Sequence, residues 1–217
     1  MKKLKNIRAL LWDMDGVLID SEAYHLRAEN ETLKDYGIHV TPEISKPMMG
    51  STFSDYFKGV AAYFKKDLPT KKILSDHAKR LENYAQNIFP IVDHAHDVLE
   101  KLSHRYLMAL ATSSSKVLAH TIVERLGAES FFKTIVTGND IKKGKPDPEI
   151  FLKAAEQLGV PPEQCAVIED SLNGFHAAKS AGMFLIARKA EHNKNQDFSL
   201  ADVVIMDLRE IDKQISR

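Results

Sequence analysis

The chain has 217 residues, and its 30 Lys and Arg balance its 30 Asp and Glu, so the formal net charge at pH 7 is zero. A hydrophobic fraction of 44% and a charged fraction of 28% are ordinary for a globular protein with a sizeable core. The balanced charge argues against nucleic acid or an anionic membrane surface as a partner. The apolar runs are too short to span a bilayer, so we expect no membrane association.

Two further features bound the class of protein. The apolar run that follows the N-terminal lysines is cut off at Asp13, which argues against a signal peptide. Cys165 is the only cysteine, so no internal disulfide can form, and a reducing, cytoplasmic location is predicted. We expect a monomer built as one large domain or as a core with an insertion.

Six short apolar runs along the chain predict β-strands. They are nearly continuous rather than alternating, which is typical of strands covered on both faces. Helical patterns separate them, for example at 93–104, 116–126 and 148–158. Such alternation predicts an α/β fold, a Rossmann-like three-layer core around a parallel sheet. The predicted strands are 7–12, 106–111, 134–137, 165–168, 184–187 and 203–206.

One stretch breaks this alternation. From about residue 21 to residue 87 the patterns are helical, and Thr41 before Pro42 is typical of a helix N-terminus. We therefore predict an α-helical cap over 20–87, inserted into a core of 1–19 and 88–217. Within that core the stretch 191–197, EHNKNQD, is predicted to be a polar surface loop.

Polar side chains follow three of the predicted strands. Asp13 and Asp15 follow the first, the serine-rich 112–115 follows the second, and the acidic 169–171 follows the fourth. Ligands of an open parallel sheet bind outside the carboxyl ends of its strands, so we expect these groups to converge. Lys145, in a Gly/Pro loop just before a predicted helix, is a candidate to join them.

This set of residue types predicts phosphate chemistry. Carboxylates gathered at one edge repel one another and need a cation, and their hard oxygens suit Mg²⁺. A metal and a lysine beside hydroxyls and loop amides make a phosphate site. The chain has no GxxxxGK[ST] loop, which excludes a nucleoside-triphosphate cradle of that type. A carboxylate is then available to attack phosphorus.

Four motifs, in order, resemble those of the haloacid dehalogenase-like superfamily of phosphotransferases. They are DMDGVLIDSE, TSSS, GKPDPEIF and VIEDSLNGFHAAKSAGM. The resemblance covers essentially the whole predicted core, and the helical insert stands where the family has its α-helical cap. The β-phosphoglucomutase-like sugar-phosphatase branch is the most similar.

The resemblance implies roles for the acidic residues. Asp13 would be the nucleophile that forms an aspartyl-phosphate, and Asp15 would be the general acid and then the general base. Mg²⁺ would be held by Asp13, the backbone carbonyl of Asp15 and Asp170, with Glu169 as a direct or water-mediated partner. The family's dehalogenases lack an acid at the position of Asp15, so dehalogenation is disfavoured.

The resemblance also implies a phosphate-binding set. Thr112 and the Ser113 amide would bind the transferring phosphoryl group, and Lys145 would neutralise charge on the nucleophile and the phosphate. The next two residues, Ser114 and Ser115, are interpreted as loop polarity only.

The cap would choose the leaving group, with His25, Gly50, Ser51 and Thr52 as candidate contacts. Mutases of this branch carry an arginine shortly after the cap-loop glycine and a lysine near the end of the second cap helix, to hold a second phosphate. The stretches 51–54 and 85–87 contain neither. Other cations that could hold a second phosphate in their place are Lys46, Lys79 and Arg80.

These observations predict a Mg²⁺-dependent phosphatase that hydrolyses a small phosphorylated metabolite, a sugar phosphate above all, through an aspartyl-phosphate. The alternative is a hexose-phosphate mutase of the β-phosphoglucomutase type. A third hypothesis is a non-catalytic binding relative.

Overall fold

The computed structural model describes residues 6–49 and 51–215, except for the side chain of Asn87. Within these ranges six strands form one sheet in the order β3-β2-β1-β4-β5-β6, and every neighbouring pair is parallel. Each predicted strand is present with its ends within two residues of the expected ones, which confirms the parallel α/β core. The strands are β1 (Ala9–Trp12), β2 (Leu107–Ala111), β3 (Thr134–Val136), β4 (Cys165–Glu169), β5 (Phe184–Arg188) and β6 (Val203–Ile205).

The register of the three central strands brings their ends to one level. Trp12 of β1 pairs with Leu110 of β2 on one side and with Ile168 of β4 on the other. The next residues along each strand therefore leave the sheet side by side at its carboxyl edge. This is the physical reason why the polar motifs of distant segments meet.

Helices cover both faces of the sheet. On one face, Leu10 and Trp12 pack with α5, α6 and α9; on the other, Leu11 and Ala109 pack with α7 and α8. Trp12 is fully buried. Three layers result, helix–sheet–helix. The helices of the core are α5 (Ala95–Ser103), α6 (Lys116–Arg125), α7 (Glu149–Leu158), α8 (Leu172–Ser180) and α9 (Ile211–Ile215).

Among the described residues between Glu22 and Asn87 the regular structure is helical, as predicted. Residues Leu33, Phe57 and Ile73 of this segment belong to an apolar cluster of its own, separate from the two clusters that flank the sheet. Leu81 and Tyr84 join the cluster of the core instead. The helices are α1 (Glu22–Leu33), α2 (Pro42–Ser45), α3 (Phe53–Phe64) and α4 (Thr70–Asn87).

The division into a core of 1–19 and 88–217 and a cap of 20–87 stays a prediction. Across the described ranges, none of the helices is both long enough and apolar enough to traverse a lipid bilayer.

Candidate active site

Lys145 lies at the centre of a buried group of charges. Its Nζ donates to Asp13 Oδ1 at 2.6 Å, to Glu169 Oε1 at 2.8 Å and to the carbonyl of Ala111 at 3.3 Å. The lysine side chain is only 1% exposed, so these contacts replace its hydration shell. The loop before α7 thereby ties together the ends of β1, β2 and β4.

Three carboxylates lie close together, and the single positive charge of Lys145 cannot neutralise all of them. Oxygens of Asp13, Glu169 and Asp170 lie within 4.8 Å of one another, and all three residues are buried. Burial, followed by the influence of Glu169, raises the pKa of Asp13 well above its ordinary value, although Lys145 acts in the opposite direction. Burial likewise raises the pKa of Asp170 to about 6. This excess of negative charge on hard oxygen donors fits a divalent cation.

Glu169 is the most fully engaged member of this set. Its Oε2 accepts hydrogen bonds from the backbone N–H groups of Asp170 and Ser171, both at 2.7 Å, and from the Ser171 hydroxyl at 3.0 Å. Its Oε1 accepts from Lys145. Both oxygens are therefore committed to protein donors.

Two glycines make room for the acidic residues. Gly16 has a φ of +73°, and a Cβ placed there would lie 1.9 Å from Oδ2 of Asp170. A Cβ on Gly174, in the first turn of α8, would lie 1.8 Å from Oε1 of Glu169. Side chains at either position would collide with a carboxylate of the cluster.

Asp15 stands beside this cluster in a different setting. Its Oδ1 accepts hydrogen bonds from Ser21 at 2.5 Å and from His25 at 2.8 Å, and its Oδ2 accepts from Ser114 at 2.8 Å. Burial alone would raise its pKa, but the charge of His25 and these hydrogen bonds lower the pKa of Asp15 to about 2. Burial would lower the pKa of His25, but Asp15 raises it to about 9. The two form an ion pair at neutral pH.

The loop after β2 also lines the cleft. Thr112, Ser113 and Ser114 line the same cleft as Asp13 and Lys145. The Oγ1 of Thr112 accepts the N–H of Ser114 at 3.1 Å. The interpretation of Ser114 as loop polarity is wrong, because its hydroxyl is buried against Asp15.

Ser115, the other residue interpreted as loop polarity, has a structural role. Its side chain accepts the N–H of Leu118 at 3.2 Å and so caps the N-terminus of α6.

The prediction of a surface loop at 191–197 is also wrong in part. His192 Nε2 lies 2.7 Å from Oδ2 of Asp170, and Asn193 is only 2% exposed. Asn193 and Gln196 donate side-chain N–H groups to the carbonyl of Asp170 at 2.9 and 2.8 Å. The only signal available beforehand was topological: the loop that follows a strand next to β4 reaches the same edge of the sheet.

Residues of the helical segment between β1 and α5 also line the cleft. Of the predicted cap contacts, His25 and Ser51 line the cleft. Thr52 is not among the lining residues; its Oγ1 accepts the N–H of Asp55 at 3.2 Å and caps α3. Gly50 lies outside the described residues. Asn173 of α8 donates to the carbonyl of Met49 at 2.6 Å and so connects the core to the cap loop.

Several cap residues that the sequence did not single out also face the cleft. They are Glu22, Glu29, Ser45 and Tyr56, whereas Met48, Met49 and Phe53, which also face the cleft, belong to the stretch 46–53 that the sequence predicts to determine specificity.

Comparison with known proteins agrees with this geometry. A family profile described as "Haloacid dehalogenase-like hydrolase" matches residues 10–188. The phosphorylated carbohydrates phosphatase of Thermotoga maritima is 35% identical over 182 residues, which cover 82% of this chain and 82% of the relative. The fructose-1-phosphate phosphatase YqaB of Escherichia coli is 29% identical over 177 residues, 80% of this chain and 92% of the relative.

Solved structures agree as well. CbbY from Rhodobacter sphaeroides in complex with phosphate matches with a TM-score of 0.83 at 26% identity, over 94% of this chain and 96% of that one. Fold, ordered motifs and named phosphatase relatives together define an enzyme of the phosphoric monoester hydrolase class. The chain belongs to the haloacid dehalogenase-like hydrolase family, in the β-phosphoglucomutase-like branch that its motifs predict.

Proposed function

We propose that the protein is a Mg²⁺-dependent phosphatase that acts on a small phosphorylated sugar or a related metabolite through an aspartyl-phosphate. One observation carries the proposal: Asp13 and Asp15 line a single cleft but stand in opposite electrostatic settings, one beside Lys145 and two carboxylates, the other paired with His25. Two carboxylates held in different settings of one cleft can take two different roles, as a nucleophile and an acid/base do. The sugar phosphatases among the relatives support the choice of substrate.

In the first step a carboxylate oxygen of Asp13 attacks phosphorus, and the bond from phosphorus to the leaving-group oxygen breaks. Lys145 stays within hydrogen-bond distance of Asp13 and neutralises charge there. Thr112 and the Ser113 amide bind the phosphoryl oxygens. Asp13, Asp170 and the backbone carbonyl of Asp15 would hold Mg²⁺, which would supply further charge neutralisation.

Glu169 takes a supporting place in this scheme. Both of its oxygens already accept hydrogen bonds, one from Lys145 and the other from the loop before α8. We therefore propose that Glu169 would contact the cation through a water molecule rather than as a direct ligand.

The proton for the leaving oxygen comes from the Asp15–His25 pair. Because the pKa of His25 is raised to about 9, the pair holds one proton at neutral pH although the pKa of Asp15 is lowered to about 2. Asp15 passes this proton to the leaving oxygen. In the second step Asp15 takes a proton from water, which attacks phosphorus and releases phosphate from Asp13.

The test is phosphate release from p-nitrophenyl phosphate and a panel of phosphorylated sugars, with Mg²⁺ and with EDTA. We expect turnover that EDTA abolishes and added Mg²⁺ restores. Isomerisation of a sugar phosphate without net release, dependent on a bisphosphate primer, would instead establish the mutase. Binding of Mg²⁺ without turnover of any ester would establish a non-catalytic relative.

A cytoplasmic location is part of this proposal. It is supported by Cys165, the single cysteine, which is a buried free thiol and fits a reducing compartment.

A further inference from the structure

The cap side of the cleft is formed by a wall of carboxyl and hydroxyl groups. Glu22 and Glu29 come from α1, Ser45 from α2 and Tyr56 from α3, and all four line the cleft that holds Asp13. This wall, defined by these four residues and called the acidic cap wall below, faces the side on which a leaving group would sit. No part of the proposed phosphoryl-transfer chemistry uses it.

Three of the four residues of the acidic cap wall are held in place by contacts with one another. The Tyr56 hydroxyl donates to the Glu29 carboxylate and lies 3.1 Å from Oγ of Ser45. Glu29, Ser45 and Tyr56 are each about 5% exposed. Buried side chains that are bonded to one another present a fixed set of acceptors and donors to a ligand.

Cations are scarce on the same surface. Among the described residues that line the cleft, the cationic side chains are Lys145 and His25. Lys145 is paired with Asp13 and Glu169, and His25 is paired with Asp15. Neither is available to hold a second anionic group of a substrate.

The three cations that the sequence left open as substitutes lie elsewhere. The guanidinium of Arg80 is paired with Glu31 at 3.0 Å, and Lys79 is exposed outside the lining set. Lys46 is exposed and lines a neighbouring cavity of about 460 Å³.

We propose that the acidic cap wall selects monophosphates whose leaving group carries hydroxyl or amino groups and no second anion. Hydroxyl and ammonium groups can donate hydrogen bonds to Glu22 and Glu29. Burial raises the pKa of Glu22 to about 7 and also raises that of Glu29. A second phosphate or a carboxylate would therefore lose its hydration beside two buried glutamates with no available cation, and this cost is the basis of the selection. This inference rests on the proposed phosphatase function and narrows its substrate class.

A structural relative differs from this protein in the ligand that we expect it to bind. A mutant of CbbY from Rhodobacter sphaeroides, which matches with a TM-score of 0.83, was solved in complex with xylulose-(1,5)bisphosphate. We expect the acidic cap wall to disfavour the binding of a bisphosphate in the cleft of this protein.

The experiment compares four esters that share a phosphate on carbon 6: glucose 6-phosphate, glucosamine 6-phosphate, 6-phosphogluconate and glucose 1,6-bisphosphate. Apart from that phosphate, glucose 6-phosphate is neutral and glucosamine 6-phosphate is cationic. The other two are anionic, because 6-phosphogluconate carries a carboxylate and the bisphosphate a second phosphate. We expect kcat/KM for each of the first two to exceed that for each of the last two by about tenfold or more, as expected for a second anion that loses its hydration in a partly buried site without a counter-ion. p-Nitrophenyl phosphate serves as a reference ester for the phosphoryl-transfer chemistry.

Two variants test the assignment to the wall. The double variant Glu22→Gln, Glu29→Gln keeps side-chain size and is expected to reduce the preference for glucose 6-phosphate over 6-phosphogluconate by at least about threefold. Lys46→Ala is the matched control, and we expect it to leave the ratio of bisphosphate to monophosphate turnover unchanged.

Each other outcome overturns the inference. Equal or better turnover of 6-phosphogluconate or the bisphosphate would do so, as would an unchanged preference in the double variant or a selective loss of bisphosphate turnover in Lys46→Ala. Turnover of p-nitrophenyl phosphate with none of the four sugar esters would refute the inference and leave the phosphatase proposal standing. No turnover of any ester would refute both.

Discussion

His192 Nε2 lies 2.7 Å from Oδ2 of Asp170, and this contact joins the loop after β5 to the carboxylate at the end of β4. Side-chain amides of Asn193 and Gln196 donate to the backbone carbonyl of the same aspartate. The loop therefore holds Asp170 by both its side chain and its backbone. A partner on one oxygen of a carboxylate orients the other oxygen toward a metal.

Replacement of His192 should weaken metal binding before it affects the fold. We expect His192→Ala to raise the Kd for Mn²⁺ by about tenfold or more, because an outer partner of a metal ligand is removed. Titration of Mn²⁺ followed by electron paramagnetic resonance measures this directly. Lys194→Ala is the matched control, because this lysine lies in the same loop and pairs with the exposed Glu191. An unchanged Kd in His192→Ala would contradict the positioning role.

Replacement of Asp13 should abolish chemistry. Asp13→Asn keeps the size of the side chain but removes the carboxylate that we propose attacks phosphorus, so kcat for p-nitrophenyl phosphate should fall by about 10³-fold or more. Phosphate release under saturating Mg²⁺ measures the loss, and mass spectrometry should find no phosphorylated enzyme. Glu100→Gln, a carboxyl-to-amide change on an exposed residue of α5, should retain full activity. Substantial turnover by a clean Asp13→Asn preparation would refute the assignment of the nucleophile.

Lys145 should be important for stability as well as for turnover. Its ammonium is 1% exposed between Asp13 and Glu169, so Lys145→Met leaves buried carboxylates without their cation. We expect a loss of about 3–5 kcal/mol in the free energy of unfolding, measured in urea at neutral pH. Lys101→Met removes an ion pair whose lysine is 65% exposed and should cost about 1 kcal/mol or less. An equal loss of unfolding free energy in the two variants would contradict the stabilising role of the buried ion pairs of Lys145.

His77 should make the protein sensitive to acid. It is fully buried beside Phe53 and Phe57, and neither ring nitrogen has a hydrogen-bond partner among the described residues. Burial lowers the pKa of His77 from 6.5 to about 3. Below pH 6.5 the unfolded chain therefore binds a proton that the folded protein does not, and stability is lost as the pH falls from 6.5 toward 3.

The variant His77→Phe should remove this acid sensitivity. Between pH 7.5 and pH 5 the wild-type protein should lose about 2 kcal/mol more of its free energy of unfolding than this variant does. Chemical denaturation at the two pH values measures the difference. His120→Phe, the same change on an exposed position of α6, should keep the wild-type pH dependence. Parallel pH profiles for the wild type and His77→Phe would contradict the assignment.

Much of the fold could be predicted from the sequence because its signals are local. Apolar runs such as 165–168, bounded by turn residues, predict buried strands wherever they occur. Asp13, Asp15, Lys145 and Asp170 could be selected because motifs in a known order mark them. The role of each residue remains a prediction, but their convergence is a direct consequence of the register of β1, β2 and β4.

By itself, then, the sequence determined the parallel core, the helical insert and the residues able to carry the chemistry. Only the tertiary structure decided which ordinary polar residues join them. Ser114 lies 99 positions from Asp15 in the chain, Asp170 lies 22 from His192, and Glu29 lies 27 from Tyr56. No local pattern encodes such pairs, because each depends on the neighbour that a strand or helix acquires in the packed fold. A serine or histidine in a polar loop looks the same in sequence whether it faces water or a buried carboxylate.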